Sequence, residues 1–220
     1  AFLNTAMGLE LAREDVEALE ARTEGWIVGL QLAALSLQGR RDAHEFITSF
    51  SGGHHYVLEY LTQEVVRRQP ERVQRFLLQT SILGRLCGPL CDTLTDGSDG
   101  TAMLAHLRQR NLFILPLDDE RRWYRYHRLF ADLLRKELRK QEPEKIEEVH
   151  RRASRWYEGA GHIAEAVGHA LAAGDLARVA LLIEGRALAM LEQGQLVTFT
   201  GWLDALPESI ARSRPWLCVA

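Results

Sequence analysis

His127 lies at a predicted strand-to-helix junction, where it could donate a hydrogen bond to a phosphate group on a neighbouring domain. An imidazole can donate one hydrogen bond to a phosphate oxygen, and that bond is stronger when the ring is protonated. The alternative is structural, because a histidine at the junction of two elements can tie the start of its own helix to the preceding hairpin. The sequence leaves both interpretations open.

Two predicted strands and one predicted helix position His127. Residues 112–117 and 123–127 read as strands, and the polar residues 118–121 between them read as their turn. A helix is predicted over 129–140, because its apolar residues recur with a 3.6-residue period. Those apolar residues are Leu129, Phe130, Leu133, Leu134 and Leu138.

The elements before the hairpin have the order of a winged helix. Helices are predicted at residues 56–68, 71–80, 91–95 and 101–110. The last of them would be the recognition helix, and residues 111–127 would be the wing. Leu104 and Leu107 read as core residues of that helix. Its candidate base-contacting side chains all lie at its C-terminal end: His106, Arg108, Gln109 and Arg110.

Helices also dominate the two flanking regions. Before the winged helix, helices are predicted at 11–22, at 26–37 with Gly39 as C-cap signal, and at 42–50. After it, helices at 143–159, 163–173, 176–193 and 196–205 alternate with short glycine-containing turns. The small residues of the first pair resemble a tetratricopeptide-like repeat, although the period is not strict.

The expected fold is therefore mainly α. We expect a small helical subdomain at 1–50, a winged helix with a β-hairpin at 51–141, and the start of a helical-repeat array at 142–220. The chain starts without Met inside a helix-like stretch and stops in an apolar one, which suggests a piece of a longer protein.

Composition and missing motifs exclude several functions. With 46% hydrophobic and 26% charged residues, the chain reads as soluble and globular, with no membrane-spanning run or signal peptide. Residues 101–160 carry 14 basic and 10 acidic side chains, which interleave as on a solvated surface. There is no phosphate-binding G-x-x-x-x-G-K-[ST] loop and no other catalytic motif, so the chain alone is not expected to hydrolyse ATP.

The metal-binding signals are weak. Cys87 and Cys91 are four residues apart, but no second ligand pair with zinc spacing accompanies them, and with Cys218 they read as buried free thiols. The neighbours His54 and His55 read as a loop or a helix entry. We expect no metal site, and a reduced, cytoplasmic protein.

Three separated motifs resemble one known family. Residues 24–33 (EGWIVGLQLA), 124–130 (YRYHRLF) and 150–158 (HRRASRWYE) are similar to MalT-like, large ATP-binding LuxR-type transcriptional activators of the STAND class of signal-transduction ATPases. The resemblance covers essentially the whole chain in the same order. In that family a P-loop domain precedes these regions, and a C-terminal helix-turn-helix that binds DNA follows them.

The resemblance implies roles for four residues. Residues 29–33 are similar to the Gly-Leu-Pro-Leu-Ala motif of related NB-ARC proteins, with Gly29 kept and Gln31 in place of the proline that packs on adenine; a packed helix is the alternative. Residues 127–130 resemble the Met-His-Asp motif, with His127 at the histidine and Arg128 at the aspartate. In that class the histidine reaches the β-phosphate of bound ADP.

The expected function is a nucleotide-sensing, autoinhibitory and signal-relaying region of an ATP-dependent regulator. The resemblance implies ATP or ADP with Mg²⁺ in the longer protein but no cofactor in this region. It implies as partners the upstream P-loop domain and an inducer or regulatory protein on the repeats, with DNA bound through the C-terminal domain. Self-association on activation is a further expectation, and no membrane partner is expected. Direct DNA binding by the winged helix and a helical-repeat scaffold are the alternatives.

Overall fold

Apolar residues with helical spacing make the structure mainly helical, with one short antiparallel hairpin. The computed structural model describes residues 2–37, 42–50, 59–187, 196–208, 210 and 214. It divides into two units, residues 1–141 and residues 142–220.

The first unit begins with helices whose apolar side chains, among them Leu19, Ala33 and Ile47, are buried. After a π-helical segment, Phe2–Ala6, come α1 (Arg13–Thr23), α2 (Ile27–Leu37) and α3 (Ala43–Ser49). Helix α1 packs on α2 and α3. The predicted C-cap at Gly39 lies outside the described residues.

The winged-helix region follows in the predicted order. A second π-helical segment, Leu61–Val66, precedes α4 (Glu71–Thr80), α5 (Gly88–Thr95) and α6 (Gly100–Gln109). Helix α5 starts three residues before its predicted first residue, Cys91, and Pro89 occupies its first turn, where the missing N–H costs nothing.

The hairpin and the last helix complete this unit. Strands β1 (Ile114–Pro116) and β2 (Tyr124–Tyr126) pair antiparallel, with Ile114 opposite Tyr126. Leu86 adds an isolated bridge to Tyr124 on the other edge of β2. Helix α7 (Arg128–Gln141) then packs on α4 and α1 and buries its predicted apolar face, including Phe130 and Leu134. The predicted winged helix with its hairpin is confirmed.

The second unit is a run of helices joined by short turns. It contains α8 (Lys145–Gly159), α9 (Ile163–Ala172), α10 (Leu176–Glu184) and α11 (Leu196–Asp204). Helix α9 packs on both α8 and α10. Small buried residues such as Ala153 and Ala166 allow α8 and α9 to approach closely.

One prediction in this unit is wrong. A single helix was expected over 176–193, but α10 ends at Glu184 and Gly185 is its C-cap. Glycine loses more backbone entropy in a helix than any other residue, which favours a helix end at Gly185. The apolar residues continue beyond this glycine in the sequence, and they suggested a longer helix than the one that forms.

Candidate functional site around His127

A left-handed corner ends α1 and starts the site. Glu24 and Gly25 both adopt positive φ angles, 49° and 73°. Glycine adopts this conformation without steric penalty, whereas for glutamate it costs free energy. The corner places Trp26 so that its backbone N–H donates to Thr23 O at 2.8 Å, and α2 begins at the next residue.

The Trp26 indole is the centre of an aromatic cluster. It meets the rings of Phe113 and His127 edge-on, with centroids 5.1 and 5.9 Å away, and lies 6.1 Å from the ring of Tyr60. Gly29 lies one helical turn after Trp26, and a Cβ built there would come within 2.4 Å of the indole. The structure therefore assigns Gly29 a packing role, since its missing side chain makes room for Trp26.

His127 joins this corner to the winged helix. Its Nε2 donates to Thr23 O at 2.8 Å, across 104 residues of sequence. Its backbone N–H donates to Phe113 O at 2.7 Å, and its carbonyl accepts from Ala131 N at 2.9 Å, which starts α7. Because a carbonyl oxygen only accepts, Nε2 must carry the hydrogen.

The other ring nitrogen of His127 is left unsatisfied. The side chain is only 8% exposed, and Nδ1 has no hydrogen-bond partner among the residues that the structure describes. A buried polar atom without a partner costs free energy, so such atoms are rare and point to an unmet contact. Phe113, whose carbonyl holds the His127 backbone, also adopts a positive φ of 54°, which stores strain beside the ring.

An ion pair lies next to the imidazole. Arg125 Nη1 donates to both Glu24 carboxylate oxygens, at 2.8 and 3.1 Å. Glu24 Oε2 lies 3.7 Å from His127 Nε2. The cationic side chain also lies at the C-terminal end of α1, where the helix dipole favours positive charge.

Two of the four proposed nucleotide-contacting residues meet in this cluster. Gly29 and His127 both contact Trp26, whereas Gln31 and Arg128 are exposed. Sequence reasoning did not single out Thr23, Phe113 or Arg125 as site residues. Arg125 was recognisable only as a member of the motif at 124–130, and nothing in the sequence marks the Thr23 carbonyl as an acceptor.

The alternative DNA-contacting residues occupy the end of α6. Leu104 and Leu107 are buried at 1% and 0% exposure, which confirms their predicted core role. His106 and Arg108 are half-buried, and only Gln109 and Arg110 are exposed. Arg108 Nε is buried without a hydrogen-bond partner in the described structure. This helix therefore presents few free side chains to a DNA groove.

We expect the chain to bind duplex DNA weakly and without sequence preference. The net charge is −3, so counterion release contributes little, and the exposed part of α6 offers few base-reading groups. Fluorescence anisotropy at physiological salt measures this directly. A complex that resists competitor DNA, with a Kd of about 10⁻⁸ M, would instead support direct DNA binding.

The thiols and the hairpin are buried structural features. Cys87 and Cys91 are free and buried, as predicted, and burial raises the pKa of both thiols. Burial also raises the pKa of Tyr126, whose hydroxyl lies 2.7 Å from Thr80 Oγ1. His54, His55 and Cys218 lie outside the described residues.

Among the described residues, no cluster of three or more His, Cys, Asp or Glu side chains is arranged to hold a metal ion. No helix in the same part of the chain is both long and apolar enough to cross a membrane.

Comparison with known proteins agrees with the fold. Residues 62–146 match the family of MalT winged helix domains. The serine/threonine-protein kinase PknK of Mycobacterium tuberculosis is 40% identical over 220 residues, which is 100% of this chain and 20% of that protein, and PknK of Mycobacterium bovis gives the same values. The HTH-type transcriptional regulator MalT of Yersinia pestis is 30% identical, over 99% of this chain and 24% of that protein.

These matches agree with a winged-helix domain of the MalT type at residues 62–146. The chain spans about a fifth to a quarter of the length of the curated relatives it matches.

Proposed function

We propose that this chain is an internal regulatory region of an ATP-dependent MalT-type regulator, which senses the nucleotide bound to a preceding P-loop domain. The observation that carries the proposal is His127, a buried histidine at the contact between the α1–α2 corner and the winged helix, whose Nδ1 has no partner in the described part of the chain. With the hydrogen on Nε2, Nδ1 of the neutral ring accepts a hydrogen bond, and only the imidazolium form can also donate one from Nδ1 to a phosphate oxygen.

In this proposal His127 is part of a bistable switch. In the resting state it stabilises bound ADP, and Gly29, Gln31 and Arg128 are the other candidate nucleotide contacts. A signal received by the helical repeats releases the contact, and the protein then self-associates and binds DNA through a C-terminal domain. ATP hydrolysis with Mg²⁺ belongs to the P-loop domain, and the protein acts in the cytoplasm.

In the full-length protein, His127→Ala is expected to speed ADP release and raise basal reporter transcription. One hydrogen bond to a charged group contributes about 1.5–3 kcal/mol, which is enough to shift an equilibrium poised by a few kcal/mol. The measurements are the dissociation rate of a fluorescent ADP analogue and a promoter–reporter assay. His44→Ala is the control, because His44 is 85% exposed and pairs with Asp15 away from the cluster.

A purely structural role for His127 gives a different result. Losing the 2.8 Å bond to Thr23 would then lower the melting temperature and the induced output together. If ADP release is unchanged while both of these fall, the nucleotide contact is wrong.

The similarity to a protein kinase favours a second candidate function, in which the same region belongs to a kinase. The 40% identity to PknK extends over the whole chain, so the region has a relative within a kinase as well as in a transcriptional regulator. In that setting its output would be phosphotransfer. Incubating the full-length protein with ATP, Mg²⁺ and a generic protein substrate distinguishes the two, because only the kinase setting yields phosphorylated substrate.

A further inference from the structure

A cavity of about 420 Å³ lies within the winged helix, between α4 and the turn that joins α5 to α6. Its volume is in the range of pockets that hold small ligands. Arg72, Arg75 and Gln79 line it from α4, where their spacing of three and four residues places them on one helix face. None of the residues around the cavity belongs to the cluster at Trp26 and His127, so the cavity is a separate candidate site.

The buried part of the cavity lining is apolar except for one amide. Phe76 and Met103 are 5% and 7% exposed, and Gln79 is 9% exposed. The Gln79 side chain has no hydrogen-bond partner within the described part of the chain. A buried amide without a partner is rare and points to an unmet contact. Because an amide both donates and accepts, it can bind either kind of polar group on a ligand.

Opposite charges line the same cavity. Arg72 Nη2 forms an ion pair with the Asp99 carboxylate, and Arg75 and Asp96 are the other charged residues of the lining. The Arg72 and Asp99 side chains are 70% and 42% exposed, so a ligand can reach both from solvent. A purely anionic ligand would be repelled by the carboxylates, and a purely cationic ligand by the guanidinium groups. A zwitterion is complementary to both.

The α5–α6 turn is held in place without the Asp99 carboxylate. The Gly100 N–H, at the start of α6, donates to Asp92 Oδ1 at 2.7 Å, and the Gly97 N–H donates to Asp92 O at 3.1 Å. Asp99 is the N-cap residue of α6, but its side chain caps no backbone N–H and pairs with Arg72 instead. A partly exposed ion pair is stabilised only weakly, so a ligand ammonium and carboxylate can each replace one of its members.

We infer that this cavity binds a small zwitterion with an apolar group, which is the chemistry of an apolar amino acid or dipeptide. The ligand carboxylate binds Arg72 and the ligand ammonium binds Asp99. The apolar group packs on Phe76 and Met103, and the Gln79 amide bonds a polar atom of the ligand. The site goes beyond the proposed function, because it gives the winged helix a ligand of its own that does not depend on a nucleotide.

The test is isothermal calorimetry of the chain with L-leucine and with L-leucyl-L-leucine. Saturable binding of at least one of them is expected, and the tighter of the two shows whether a free amino acid or a dipeptide is the better ligand. That compound is then compared with its C-terminal amide and its N-acetyl derivative, which each lack one charge. Each derivative should bind about tenfold more weakly, because it loses one charge-assisted hydrogen bond. Equal binding of either derivative, or no saturable binding of both zwitterions at millimolar concentration, would overturn the inference.

Two variants assign the binding to this cavity. Gln79→Met keeps the side-chain length and removes the amide, so it should weaken binding about tenfold without lowering the melting temperature, since the buried amide has no partner to lose. Asp99→Asn removes the carboxylate for the ligand ammonium and should weaken binding as much, with little effect on folding. Asp119→Asn is the matched control, because Asp119 is exposed in the hairpin turn. If Gln79→Met binds as tightly as the unaltered chain, or Asp99→Asn as tightly as Asp119→Asn, the cavity is not the site.

Discussion

Gly29→Ala is expected to destabilise residues 1–141 by about 2 kcal/mol, because the added Cβ would lie 2.4 Å from the Trp26 indole. The indole cannot retreat freely, since Phe113 and His127 meet it edge-on at 5.1 and 5.9 Å. In a helix, replacing glycine by alanine normally increases stability, so a decrease at Gly29 would point to a steric clash. Thermal melts followed by tryptophan fluorescence measure it.

Gly168→Ala provides the matched control. Gly168 lies within α9, is exposed, and a Cβ there meets nothing within 4 Å. This substitution should stabilise its own unit by about 0.5–1 kcal/mol through helix propensity. If Gly29→Ala gave the same increase in stability, the Trp26 indole would not be packed tightly against Gly29.

A double-mutant cycle identifies the contact. In a Trp26→Leu background the smaller side chain leaves room for the new methyl group, so Gly29→Ala should lose most of its cost there. An unchanged cost in that background would mean that Gly29 is constrained by something other than Trp26.

Residues 142–220 are expected to lose stability as the pH falls from about 6.5 to about 4. His169 Nδ1 lies 2.9 Å from His150 Nδ1, and its ring stacks on Tyr157 at 5.4 Å. Burial is the largest cause that lowers the pKa of His169, and the neighbouring His150 lowers it further, to about 4. The Glu165 carboxylate raises this pKa, but by less.

The sign follows from proton uptake. Between pH 6.5 and 4 the unfolded chain protonates this histidine while the folded unit does not, so acid favours unfolding. The stabilisation is complete above pH 6.5, and its loss is on the order of 2 kcal/mol after allowance for the water that reaches the ring. Hydrogen–deuterium exchange of peptides from α8 and α9 measures the stability of residues 142–220 separately from that of residues 1–141.

His169→Phe keeps a ring on Tyr157 and removes the titrating group. It should flatten the pH dependence of exchange in α8 and α9, whereas His44→Gln, in the first unit, should leave it intact. An equally steep loss of protection in the phenylalanine variant would mean that another group is responsible.

Local sequence patterns determined most of the helices and the hairpin. The 3.6-residue spacing of Leu129, Phe130, Leu133 and Leu134 is enough to predict α7, because any partner must bury that face. The hairpin followed from two strand-like stretches around a polar turn, in which the Asp118 carboxylate accepts from the Arg122 and Trp123 amides at 2.8 and 3.0 Å. The predicted helix over 176–193 was wrong, because the apolar residues on both sides of Gly185 suggested one continuous helix although glycine favours a helix end.

The sequence by itself also determined which residues deserved attention. The motifs at 24–33 and 124–130 contain Glu24, Trp26, Gly29, Arg125 and His127, and the structure brings all five together. The nucleotide contacts proposed for His127, Arg128, Gly29 and Gln31 stay predictions, since the chain's own contacts do not test them.

Only the tertiary structure decided what His127 contacts. Its acceptor, the Thr23 carbonyl, is 104 residues away, and every residue carries a carbonyl, so no residue type could mark this one. The same holds for Arg125 and Glu24, separated by 101 residues. Local spacing fixes which face of an element is apolar, but the approach of two elements depends on the packing of the whole unit. That packing places the Trp26 indole against Gly29, and it leaves His127 Nδ1 without a partner among the described residues.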